Sequence, residues 1–399
     1  MRGNEDRIEE ARQPTARAAR AVLLAALFAA ALALRPQVIA LGPLLPDIMR
    51  DLGVSHAVGG LLATIPVLCM GVFAPVAPWL ARRIGASRGI GVALVVIAVF
   101  GLVRLWPADA WAVVALTVGV GLGMGVGNGI LPVVTKQHFA HRPAFATSVW
   151  VTGINTGSFA AAAAVTPIAD VAGGWRAPLA AFSVATLLLA VPWVVLDAAR
   201  ADGPPLERLE RLAERPPVWR LTMAFALLSA VFYGINAWMP AYWVERGKTP
   251  AEAAALLAIF HLASLFLTLP IASLADRIGS RRAWLGGGGL VAIAAFAIVI
   301  HDPAHARPWA GILGAAIGAL FSLVMTLPLD VCAHPEDVGG VVAVMLGVGY
   351  VLAAVAPSAL GAVRDAAGTF VPVVWLLLGA TAAFAAVGAA CARGHPGRR

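Results

Sequence analysis

Twelve apolar runs constrain this chain more than anything else in it. They fall at 19–48, 57–81, 89–106, 110–135, 143–169, 177–196, 218–243, 253–275, 284–300, 309–331, 338–362 and 370–391. A helix needs about 20 apolar residues to cross roughly 30 Å of hydrocarbon. Inside hydrocarbon the backbone must satisfy its own hydrogen bonds, so runs of this length form helices. Composition agrees: 13% of residues are charged, where a soluble domain carries about 25%. The expected fold class is an all-α membrane protein with twelve transmembrane helices. Residues 17–34 resemble a signal peptide, with Arg17 and Arg20 ahead of an apolar stretch. The apolar run resumes after Arg35 and continues to Pro46, so the segment reads as the first span.

One polar stretch, ADGPPLERLERLAERPP (201–217), divides six spans from six. The expected organisation is a six-helix bundle over 1–200, a cytoplasmic linker over 201–217 and a second six-helix bundle over 218–399. LERLERLAER within the linker reads as a short surface helix. PWLARRIGASR (78–88) aligns with SLADRIGSRR (273–282) at an offset of 194 residues, close to half the chain. Two pseudo-symmetric halves of the same topology imply parallel repeats, with binding near the midplane between them.

The net charge of +8 does not indicate nucleic-acid binding, because the basic residues lie in short loops between apolar runs. Lys and Arg accumulate in cytoplasmic loops. With both termini in the cytoplasm, 21 of the 29 basic residues fall on that side and 7, Arg104 among them, on the other. Arg35 alone is left within the membrane. Cys69, Cys332 and Cys391 fit no metal spacing and are odd in number, so they read as apolar packing residues. No metal or cofactor is indicated.

ADRIGSRR (275–282) is similar to the loop signature of the major facilitator superfamily, a family of secondary transporters, with Asp276, Arg277, Gly279 and Arg281 in register. In that family the loop latches neighbouring helix ends. RPQVIALGPLLPDI (35–48), PVLCMGVFAPVAPWLARRIG (66–85), FYGINAWMPAYW (232–243) and GYVLAAVAPSALGAVRDAAG (349–368) resemble the cyanate / 2-nitroimidazole transporter family more narrowly. Ala33, His261 and Leu346 stand where that family commonly has Asn, Gln and Gln. The resemblance implies the major facilitator fold and a transport function.

Arg35 is the main site candidate. A guanidinium at the bilayer centre costs at least ~2.5–3.5 kcal/mol and so faces the bundle interior. It grips planar anions with paired hydrogen bonds. The alternative is a structural clamp on helix-end carbonyls. Pro36, Gly42 and Pro43 should break the hydrogen-bond ladder beside it. No Asp or Glu lies deep in any run: Asp47, Asp197, Glu245, Asp276 and Asp330 all sit near ends. The counter-charge is therefore expected to arrive with the solute.

His261, deep in the eighth run, is a candidate for substrate binding and proton coupling; the alternative is a neutral His bonded to a neighbouring helix. Tyr233, Asn236, Trp238 and Tyr350 are candidates for orienting a small ligand. Trp238 and Tyr242 also suit an interfacial aromatic belt. Asn128 and Asn155 read as interhelical hydrogen-bonding residues. In GVGLGMGVGNG (119–129) glycines recur at 119, 123, 127 and at 121, 125, 129, giving smooth faces for close helix packing. His301, Asp302 and His305 cluster in a loop without a metal pattern.

The expected function is secondary transport of a small anionic or polarised planar solute, cyanate-, nitroaromatic- or carboxylate-like, by alternating access. Multidrug efflux on the same fold is the alternative, and a sensor or membrane enzyme is a weaker one. The chain is read as no enzyme. Its expected partners are a small-molecule substrate, protons and the lipid bilayer, with no nucleic acid, and it is expected to act as a monomer in the inner (cytoplasmic) membrane.

Overall fold

The computed structural model describes residues 20–74, 76–139, 143–195, 215–278, 281–302, 305–332 and 335–391. Among them every regular element is a helix. The first span is three helices in series: α1 (20–33), α2 (Pro36–Ile39) and α3 (Leu41–Leu52). The second is two, α4 (His56–Val72) and α5 (Val76–Ile84). One helix per span follows: α6 (Ala86–Val103), α7 (Ala110–His138), α8 (Pro143–Ala172), α9 (Arg176–Val195), α10 (Pro216–Glu245), α11 (Pro250–Ile278), α12 (Arg281–His301), α13 (Ala306–Val331), α14 (Pro335–Ala367) and α15 (Val371–Cys391). Ten of the spans, the broken first one among them, are long and apolar enough to cross a membrane. The split second span and α8 complete twelve, in two halves of six. The short helix expected in the linker lies outside the described residues.

The first span departs from a straight rod where Pro36 requires it. Proline has no N–H, and its ring collides with the carbonyl four residues back. The last turn of α1 accordingly tightens: Leu34 N bonds Ala31 O at 3.3 Å and Arg35 N reaches Leu32 O at 3.5 Å. Thr186 of α9 donates to the freed carbonyl of Ala33 at 3.5 Å. A second break falls at Ala40. Pro43 adds none, because it sits in the first turn of α3, where N–H groups lack intrahelical partners anyway. The second span, expected as one run, is also divided, between Val72 and Val76.

The two glycine registers of α7 serve two different neighbours. A Cβ at Gly121 or Gly125 would meet Cys69 of α4, at 2.7 and 2.5 Å. At Gly123 it would meet Ala93 and Ile97 of α6, at 2.6 and 2.7 Å. The helix is thus packed backbone-close on both sides, as small-residue stripes allow. Asn128 turns back on its own helix, donating to Met124 O at 2.9 Å rather than across helices.

Between the halves, α4 lies along α14, α8 along α11, and α3 against α10. The tightest approach is at Gly42, where an added Cβ would overlap the carbonyl oxygen of Asn236. Overpacking such a contact costs roughly 1–3 kcal/mol. Gly42→Ala should therefore disfavour this closed arrangement and slow transport about tenfold or more, with the protein still inserted and monodisperse. A wild-type transport rate in proteoliposomes would contradict this reading of the contact.

Candidate functional site

Arg35 caps the one-turn α2 from outside the helical ladder, which aims its side chain across the bundle. The residue is 5% exposed. Its Nη1 donates to the Tyr233 hydroxyl, on α10 in the other half, at 2.8 Å. That hydroxyl in turn donates to the sulfur of Met70 on α4 at 3.6 Å. Tyr350 of α14 lies against the same pair, with its ring 6.3 Å from that of Tyr233. Nε of Arg35 is buried and has no hydrogen-bond partner among the described residues.

His261 of α11 is also buried. Its Nε2 lies 2.8 Å from Oδ1 of Asn236. Asn236 Nδ2 donates to Phe232 O at 2.7 Å, which fixes the amide orientation and makes Oδ1 the acceptor. Nε2 therefore carries a proton, which leaves Nδ1 as the ring nitrogen where the imidazole gains or loses its second one. Aromatic rings wall the cluster. Phe232 stands edge-on to Tyr233 (5.3 Å) and His261 (5.9 Å), Phe260 edge-on to His261 (5.2 Å), and Phe225 edge-on to Tyr350 (4.9 Å). Among the described residues the one buried carboxylate is Asp337, near the start of α14, 3.2 Å from Arg215. No acid answers Arg35. A separate groove of about 720 Å³ between α11, α12 and α13 has apolar walls, including Leu267, Trp284 and Leu320, and does not touch this cluster.

The Major Facilitator Superfamily profile matches residues 21–357. This chain belongs to the major facilitator superfamily. It is 28% identical to the cyanate transport protein CynX of Escherichia coli K12 over 361 residues, 87% of this chain and 91% of that one. It is 27% identical to the 2-nitroimidazole transporter of the same organism, over 88% of this chain and 90% of the other. A bacterial homologue of the human lysosomal transporter Spinster shares the fold, with a TM-score of 0.73 at 18% identity over 94% of each chain. The chain is thus a membrane transporter and not an enzyme.

The structure brings Arg35, Tyr233, Asn236, His261 and Tyr350 together. It puts Trp238 elsewhere. That indole donates to Pro357 O at 2.7 Å and packs on His56 and Phe370, fully buried in the seam between the halves. Helical arithmetic separates them: Tyr233 and Asn236 are three residues apart on one face, and Trp238 falls on another. Gly279 and the side chains of Asp276, Arg277 and Arg281 lie outside the described residues.

Three features were not foreseen from sequence. Arg104, counted among loop charges, is 1% exposed and is a second buried guanidinium; its apolar flanks, Leu102–Val103 and Leu105–Trp106, were the available signal. The aromatic wall has no sequence signature beyond its hydrophobicity. The third is a cross-half cap. The Asp365 carboxylate of α14 accepts from the backbone N–H groups of His56 (3.2 Å) and Ala57 (2.9 Å), the first residues of α4. It also lies 2.7 Å from His56 Nδ1. Thr64 and Ser358 pair at 3.1 Å further along the seam. Losing a capping carboxylate costs about 0.5–2 kcal/mol. Asp365→Ala should therefore shift the balance away from this closed arrangement roughly fivefold, measured as cysteine accessibility at the Asp365 end of the seam; unchanged accessibility would remove the cap from gating.

Proposed function

We propose that this transporter carries a small, planar, anionic or strongly polarised solute, held between the halves by Arg35. This reading is carried by a guanidinium that bridges the two halves through Tyr233, with its Nε unpartnered and no carboxylate beside it among the described residues. A solute with two acceptor oxygens, or a short linear anion, supplies the missing partner. Guanidinium is always charged and offers its donors in a planar fork, which suits nitro and carboxylate groups. Tyr233 and Tyr350 flank the charge, and the aromatic wall suits a flat solute. The two related transporters are named for cyanate and 2-nitroimidazole, both small and electron-rich. Efflux of cationic drugs is disfavoured, since nothing in the cluster is acidic.

In this proposal the bundles 1–200 and 218–399 rock about the site, tethered by the cytoplasmic linker 201–217, with both termini in the cytoplasm of an inner-membrane protein. The loop of Asp276, Arg277, Gly279 and Arg281 acts as a latch on that side. His261 is the proton-coupling candidate, its Nδ1 lone pair being the place for a proton.

Arg35→Ala should abolish binding of cyanate and 2-nitroimidazole in a thermal-shift titration of purified, monodisperse protein. Arg35→Lys keeps the charge but loses the fork and should weaken binding about tenfold, the worth of one charge-assisted hydrogen bond. Wild-type affinity in Arg35→Ala would end the proposal. His261→Gln separates the coupling role: transport should become less dependent on pH, and an unaltered profile excludes His261 from proton coupling.

A further inference from the structure

Burying one guanidinium without a carboxylate is explained by a solute; a second, Arg104, needs another account. Its partners among the described residues are all neutral, and its Nε has none. Nη2 donates to Gln37 Oε1 at 2.6 Å and to Gln37 O at 3.4 Å, and Nη1 donates to Thr117 Oγ1 at 3.4 Å. Gln37 Nε2 in turn donates to Ser183 Oγ at 2.8 Å and Leu179 O at 3.2 Å. The cluster thus ties α6, α7 and α9 to a single residue of the first span. Gly101 admits it: a Cβ there would come within 2.5 Å of Ser183 Oγ and 3.4 Å of the Gln37 amide.

Gln37 is two residues from Arg35, inside α2. That helix is four residues long and bounded by breaks on both sides. One turn has too few internal hydrogen bonds to hold its own orientation. Its direction, and with it that of Arg35, must be set by side chains from outside. Thr186 holds the chain just before the break at Ala33 O, and Arg104 holds both the side chain and the main chain just after it.

We propose that Arg104, acting through Gln37, is a positioning residue that fixes the first-span break and so aims the Arg35 guanidinium into the space between the halves. This rests on the reading of Arg35 as the solute anchor. Charge is not what Arg104 contributes to the solute, since it lies within the first half and all the partners described here belong to that half. Its fork reaches Gln37 through Nη2 and Thr117 through Nη1 from fixed coplanar positions, where a lysine would offer a single point charge.

The test uses the full-length protein and two readouts. The first is the 15N–H resonance of Arg35 Nε, assigned by its disappearance in Arg35→Lys. It should shift or broaden in Arg104→Gln and in Gln37→Leu, and return toward the wild-type position in Gln37→Glu, which keeps an acceptor for Arg104. The second is transport of 2-nitroimidazole and of cyanate. KM should rise about tenfold in Arg104→Gln and in Gln37→Leu, the effect of one misplaced charge-assisted bond, with maximal rate largely retained, and less in Gln37→Glu. An unmoved Arg35 resonance, or an unchanged KM with only a lower melting temperature, would reduce Arg104 to a structural clamp and overturn the proposal. If Arg35→Ala itself transports normally, the anchor reading fails instead, and the resonance still reports whether Arg104 sets the geometry.

Discussion

A positive charge held in hydrocarbon must find acceptors inside the protein or bring one from outside, and this protein meets that demand in two ways. Arg104 is surrounded by an amide oxygen, a main-chain carbonyl and a hydroxyl, all from its own half. Arg35 is bonded to a phenol from the opposite half and leaves Nε bare. The residue type and the degree of burial are alike. Each leaves its Nε without a partner, so the difference lies in whether the partners belong to the same half and move with the charge when the halves separate. A guanidinium whose described partners all lie in its own half is architecture. One shared between two halves is a place where a further acceptor can enter as they part.

The same logic explains why the first span is not a plain helix. An unbroken helix would hold its carbonyls in its own ladder and point position 35 wherever the 3.6-residue repeat dictates. Pro36 opens the ladder, and the freed Ala33 carbonyl is taken up by Thr186. Non-helical backbone at this depth is tolerated only where protein or a cavity supplies partners, and here α9 supplies one. The break costs regular hydrogen bonds and leaves Arg35 at the joint between two helices, where its Nη1 meets Tyr233 of the other half.

The spans were legible because hydropathy over about 20 residues reports directly on the solvent that a segment meets. Arg35 was legible for the same reason, as a charge interrupting an apolar run. Arg104 was not, because counting basic residues into loops assumes that a charge at a helix end points to water, while a long side chain is free to fold back into the bundle. Trp238 misled because its neighbours in sequence, Tyr233 and Asn236, belong to the cluster. One helix presents one face to a central space and another to a seam, and composition does not say which is which. The Asp365 cap on α4 was out of reach: its partners are 308 and 309 residues apart, and no local pattern marks such a pairing.

Asn236 joins the site to the closure of the halves. Its carbonyl is the surface against which Gly42 of the first span packs without room for a methyl group. Its side chain fixes the His261 tautomer, and the next turn of its helix carries the Arg35 partner Tyr233. The span that carries Arg35 therefore presses on the residue that orients His261. Separation of α3 from α10 would relieve the contact at Gly42 and stretch the Arg35–Tyr233 bond together, since both bridge the same pair of spans. A solute that takes over the Arg35 donors replaces that phenol as the partner of the charge, and so changes what holds the two spans together at their closest approach. On the proposed role of Arg35, binding and closure would draw on one set of contacts, with no separate relay between them.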